Sequence, residues 1–146
     1  MSRHVTRPRA AVLAAGAGAA AALLMAPPVA SADVAPGSVA IEPGLNIRVG
    51  TADYGTTCPY KVTAKATENA ETVEFFSRPD PGGAWTKFGT DTSTAVNDTV
   101  EATWTPNATG KFVVNANDVG AGGGVSAAPV TVGNGFNVFG VACIVF

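Results

Sequence analysis

Across residues 99–117 apolar and polar side chains alternate on both sides of a turn. In the first run Val100, Ala102 and Trp104 oppose Thr99, Glu101, Thr103 and Thr105. In the second, Phe112, Val114 and Ala116 oppose Lys111, Val113, Asn115 and Asn117. Successive side chains of a strand point to opposite faces, so a period of two predicts a half-buried β-strand in each run. The Pro106, Asn107 and Gly110 punctuation between them predicts a hairpin. Residues 60–67 alternate most cleanly of all, with Tyr60, Val62, Ala64 and Ala66 inward and Lys61, Thr63, Lys65 and Thr67 outward. After a turn at Glu68-Asn69-Ala70, residues 72–77 predict a third strand with Val73 and Phe75 on one face.

Turn-forming residues punctuate the rest. Residues 78–84 (RPDPGGA) form a turn cluster, residues 85–89 a short strand, and residues 90–98 a polar crossover. Ahead of these, Val39-Ala40-Ile41 and residues 45–49 flank Pro43-Gly44 and predict an edge strand that breaks and resumes, since proline cannot donate to a ladder. Residues 50–57 are polar and predict a loop. A glycine-rich loop at 122–124 precedes two extended segments, 125–132 and 136–146, divided by Gly133-Asn134-Gly135. Past residue 32 nothing predicts a helix. The expectation is an all-β, antiparallel sandwich of seven to eight strands, with turn signals about every 8–12 residues.

The first 32 residues stand apart. Arg3, Arg7 and Arg9 precede an uncharged stretch rich in Ala and Leu, and Ala30-Ser31-Ala32 has the small-residue pattern of a cleavage site. This predicts a Sec-type signal peptide over 1–32, cleaved after Ala32, and a single domain over 33–146 that is secreted or held in the cell envelope. Export changes the available chemistry. The only histidine, His4, departs, and so do three of the nine Lys and Arg residues. Six basic residues then face eleven acidic ones, so the formal charge moves from −2 to −5. A scattered, acidic charge pattern predicts no nucleic-acid partner, and no later stretch has the ~18 apolar residues of a membrane-embedded span.

Candidate chemistry is sparse. In an oxidising compartment the two cysteines, Cys58 and Cys143, predict a disulfide worth roughly 4–5 kcal/mol by loop-closure entropy. Without histidine, catalytic Ser-His and Cys-His pairs and His-metal sites are excluded. Glu71 with Glu74, and Asp91 with Asp98, are the available carboxylate pairs, but acids at alternating strand positions are the residues that face water. Ser77 and Lys87 are a formal dyad with no motif around them. Asp53, Asp91, Asp98 and Asp118 lie in or near loops without a calcium-loop pattern. The expectation is no enzyme, no metal and no cofactor. Trp104 is expected at the centre of a core with Tyr60, Val62, Phe75, Phe112 and Val114. Trp85 and Phe88 are expected to alternate, one ring in the core and the other at the surface.

Several of these pieces together resemble the bacterial immunoglobulin-like domains of secreted and surface proteins of high-GC Gram-positive bacteria. They are the Cys58-Pro59-Tyr60-Lys61-Val62-Thr63-Ala64 run, Val73-Glu74-Phe75-Phe76, and Ala102-Thr103-Trp104-Thr105-Pro106 leading to Gly110-Lys111-Phe112. Ala128-Pro129-Val130-Thr131-Val132-Gly133 and the closing Ala142-Cys143-Ile144-Val145 complete the set. The resemblance implies an immunoglobulin-like Greek-key sandwich with a structural, adhesive or ligand-binding role and no shared catalytic residues. The segment 77–84 is longer and richer in Pro and Gly than a tight hairpin, which marks residues 77–88 as a variable contact surface carrying Arg78, Asp80, Trp85 and Phe88. A protein or polysaccharide of the envelope is the expected partner. Two alternatives stand beside it. The length, leader and composition are similar to the apoproteins that sequester enediyne antibiotics, whose second disulfide has no counterpart here. A glycan-binding module would instead present Trp85 or Phe88 beside polar donors.

Overall fold

The alternating run that begins at Tyr60 forms strand β4 (Tyr60–Lys65), and burial follows its parity, with Tyr60, Val62 and Ala64 inside. Its neighbours are β1 (Ala40–Glu42) and β7 (Thr99–Trp104), both antiparallel to it. This three-stranded sheet faces a larger one built on β5 (Thr72–Pro79) and β8 (Gly110–Asp118). The second sheet has the order β3-β10-β8-β5-β6, with β3 (Tyr54–Gly55), β6 (Thr86–Thr92) and β10 (Val130–Gly133). A short β9 (Val125–Ser126) also pairs with β8. A third sheet, β11-β12-β2, comprises β11 (Gly135–Val138), β12 (Ala142–Val145) and β2 (Asn46–Arg48). These strands come from a computed structural model that describes residues 34–118 and 124–146. The expected signal peptide and its cleavage site lie outside the described residues.

The core lies between the first two sheets. Trp104 of β7 sits 6.0 Å from Phe112 of β8 and 6.5 Å from Phe88 of β6, ring centroid to centroid, so one indole bridges both layers. Val62, Val73, Phe75, Val100 and Val114 are fully buried around it. Each such side chain contributes about 1.5–3 kcal/mol by leaving water. The Tyr60 hydroxyl, buried beneath the layers, accepts from the Gly55 N–H at 2.6 Å and donates to the Cys143 sulfur at 3.4 Å, so burying it leaves no polar atom stranded. Cys58 and Cys143 form a disulfide, with their Cα atoms 5.9 Å apart. It ties the segment ahead of β4 to β12, clamping the third sheet onto the other two.

Four expectations are corrected. The runs 99–104 and 110–118 are both strands, but they do not form a hairpin: β7 pairs with β4, and β8 pairs with β5 and β10. Each buries its apolar side against the other, which requires opposite sheets, so residues 105–109 cross between layers. Residues 50–57 are not only loop. The Asp53 N–H donates to the Thr131 carbonyl and the Thr56 N–H to that of Gly133, each at 2.9 Å, placing β3 parallel to β10 with Tyr54 buried. The segment 136–146 is a hairpin rather than one strand, because Phe139 and Gly140 both take positive φ and reverse the chain between Val138 and Val141. Finally, β5 runs on to Pro79 and β6 spans Thr86–Thr92, which leaves Trp85 in the turn and moves part of the expected 90–98 crossover into a strand. With β2, β3 and the final hairpin counted, the described residues hold twelve strands against the seven to eight expected.

Candidate functional site

The outward residues of β5 are Glu74, Phe76 and Arg78, and register sets them opposite Asn117, Asn115 and Val113 of β8. A strand with one face in the core exposes the other to water, where polar residues are the norm. Here Phe76 lies in the middle of that face. The turn after β5 is anchored by two backbone hydrogen bonds, Asp80 N–H to Lys111 O at 2.9 Å and Gly83 N–H to Pro79 O at 3.1 Å. It returns the chain so that Trp85 lies against Arg78, whose guanidinium carbon is 4.6 Å from the centre of the indole. That is cation–π geometry. Trp85 remains 42% exposed.

Together Phe76, Trp85, Asn115, Asn117 and Gly124 line a shallow groove of about 220 Å³. Gly124 forms the wall closest to Asn115, whose amide would have to shift to admit a Cβ there. Asn115 is steadied by donating to the Ser126 hydroxyl at 3.1 Å. Asn117 Oδ1 and Arg78 Nε are buried and have no hydrogen-bond partner among the described residues. Arg78 also has no carboxylate within ion-pair distance among them, whereas the neighbouring Lys87 is paired with Glu74. An indole and two amides thus line one open groove, with the Arg78 guanidinium stacked on the indole at its edge. That set can stack against a flat apolar surface while hydrogen-bonding hydroxyl or carboxylate groups at its edge.

Of the residues singled out in the sequence, Arg78 and Trp85 come together here. Asp80 lies in the turn beside them. Phe88 goes elsewhere: it occupies a bulge in β6, where Phe75 pairs with Gly89 but Phe76 with Lys87, and its ring lies 6.1 Å from Phe75 in the core. Tyr60, Val62, Phe75, Trp104, Phe112 and Val114 are buried. Phe76, Asn115 and Asn117 were not identified from sequence as site residues. The available signal was an apolar residue at the outward position directly after inward Phe75.

A second concavity opens at one end of the layers, about 210 Å³, floored by Phe88, Trp104 and Phe112 with Ser77 and Thr86 at its side. It falls short of the roughly 300 Å³ at which small-molecule carrier pockets begin. Ser77 faces inward and Lys87 outward across the same sheet, so they form no dyad. The acids are held by separate partners. Asp91 accepts from the Glu101 and Thr92 N–H groups, both at 2.8 Å, and Asp53 lies 3.5 Å from Arg48. Asp98 accepts from the Thr94 N–H and hydroxyl, each at 2.7 Å, which holds its carboxyl below the ordinary value of 3.8. No protein-family model matches this chain, and no curated protein matches it.

Proposed function

We propose that this protein is a secreted, non-catalytic binding module of immunoglobulin-like Greek-key type, freed from its leader after Ala32, which binds a glycan of the cell envelope or surroundings. The fold part of this reading is supported by strand order: β1-β4-β7 facing β3-β10-β8-β5-β6 follows the order in which such sandwiches pair their strands. The functional part rests on one observation. Trp85 is open to solvent, stacked on Arg78, which has no ion-pair partner among the described residues, and adjacent to the Asn115 and Asn117 amides. Sugar rings present an apolar face edged by hydroxyls, and an aromatic ring next to amide and guanidinium donors complements both parts. The unpaired cation favours saccharides that carry a carboxylate.

The test is retention of the purified, disulfide-intact protein on insoluble polysaccharides and peptidoglycan. Wild type is expected to bind at least one carboxylate-bearing preparation. Trp85→Ala should weaken that binding about tenfold or more, as loss of a central aromatic anchor does, and Arg78→Gln should abolish the preference for acidic over neutral glycans. Absence of wild-type binding to every preparation, or equal binding by Trp85→Ala, would refute the reading.

A further inference from the structure

The third sheet has a face that none of the described residues covers. Ile47 of β2 and Leu45 and Val49, which flank it, are each more than half exposed. Register aligns Phe136 of β11, Ile144 of β12 and Ile47 of β2 in one row across the sheet. Phe146 flanks this row, and Phe139 and Val141 project from the β11–β12 turn. Three phenylalanines at these exposures leave on the order of 400 Å² of ring surface in water, and the four aliphatic side chains roughly double that. Typical monomers keep their largest apolar patch to about 300–600 Å².

Phe139 is the most telling residue of the set. It is 97% exposed and has a φ of 52°, at the first central position of a turn whose second central residue, Gly140, has a φ of 76°. Turns with two such residues favour Asn, Asp or Gly, and a bulky side chain there is strained. Within one copy the ring therefore gains no packing to offset its backbone conformation. Beside it, at the end of the sheet, lies a groove of about 160 Å³ lined by Pro43, Leu45, Pro59 and Val141 together with the polar Asn46 and Asn137. None of the described residues brings charge to this face: Arg48, the one ion on β2, points to the other side of the sheet and pairs with Asp53.

We infer that this face binds a second copy of the same chain about a two-fold axis, with Phe139 of each copy seated in the groove of the other. A standard interface takes about 800 Å² from each partner, which is the size of this patch. A two-fold contact brings the same surface together with itself, so its members must not repel. A neutral apolar face on an acidic chain satisfies that condition. A ring placed directly beside a groove is the arrangement that lets two copies exchange rings reciprocally.

Sedimentation velocity across a dilution series tests this, using the disulfide-intact protein. Wild type is expected at twice the single-chain mass, dissociating on dilution. Phe139→Asn suits the turn, so it should keep the circular dichroism spectrum and thermal midpoint measured at low concentration while weakening association about tenfold or more. Ile47→Lys, on a different strand, should do the same and guards against a local effect of the turn. A wild-type monomer at every concentration would overturn the inference, including one that instead binds apolar vesicles, which would assign the face to lipid. A dimer undisturbed by both substitutions would overturn it as well, by placing the contact elsewhere.

Discussion

Trp85 and Trp104 are the two tryptophans of this chain, one exposed at the surface and the other packed in the core. Trp104 lies within 6.5 Å, ring centre to ring centre, of Tyr54, Tyr60, Phe88 and Phe112, so its removal opens a cavity that four other rings cannot all close. Trp104→Ala should cost about 3–5 kcal/mol. Trp85→Ala gives up a cation–π contact and little buried area, about 1 kcal/mol or less. Urea unfolding followed by circular dichroism distinguishes the two, and equal losses would contradict this division. Trp104 was legible because it closes an unbroken run of alternation. The fate of Phe88 against Trp85 was not, because the β6 bulge resets parity between Lys87 and Gly89. A bulge adds one residue without leaving a mark in the hydrophobic pattern. Tyr54 was missed for a related reason: a two-residue strand between Asp53 and Thr56 is too short to show any period.

At the scale of elements, local alternation revealed strands but not their partners. Residues 99–104 and 110–118 read as a hairpin because they are adjacent in sequence and carry a turn between them. Their burial places them in facing sheets instead, since Trp104 must meet Phe112 across the core. The final segment was misread because almost every residue in it is apolar, and a run without polar alternation conceals where it turns. The third sheet built from that segment is also the element most dependent on the disulfide. Cys143 sits in β12, between Ala142 and Ile144, whereas Cys58 belongs to the segment leading into β4. Reduction should therefore loosen β2, β11 and β12 before the paired strands β4–β7 and β5–β8. Hydrogen exchange on the reduced protein is expected to speed up at Ile47, Ile144 and Val145 while Val62, Phe75 and Val114 stay protected. Uniform acceleration would show that the sulfur link supports the whole sandwich and not this sheet alone.

For the molecule as a whole, stability against pH follows from which groups folding perturbs. The only histidine, His4, lies outside the described residues, so no side chain from residue 34 onward has an ordinary pKa between about 5 and 8. Stability should be level across that span. On the acid side Asp98 is held below 3.8, first by the Thr94 N–H and then by the Thr94 hydroxyl. A carboxyl that binds its proton less readily folded than unfolded stabilises the fold above the unfolded value. That contribution disappears as pH falls through the lowered folded value. On the alkaline side Tyr54 is held above 10.0 by burial, then by Asp53, and Lys61 above 10.5 by its hydrogen bond from the ammonium to Glu42. Groups raised on folding stabilise below their unfolded values, and the gain is lost as pH rises through the folded ones. A plateau with two falling limbs follows, the acid limb beginning below about pH 4. Asp98→Asn should lower the plateau slightly and make the acid limb shallower, leaving the alkaline limb unchanged, whereas Tyr54→Phe should flatten only the alkaline one. Urea midpoints measured at intervals from pH 3 to pH 11 resolve both limbs, and an acid limb that stays as steep in Asp98→Asn would show that other carboxylates set it.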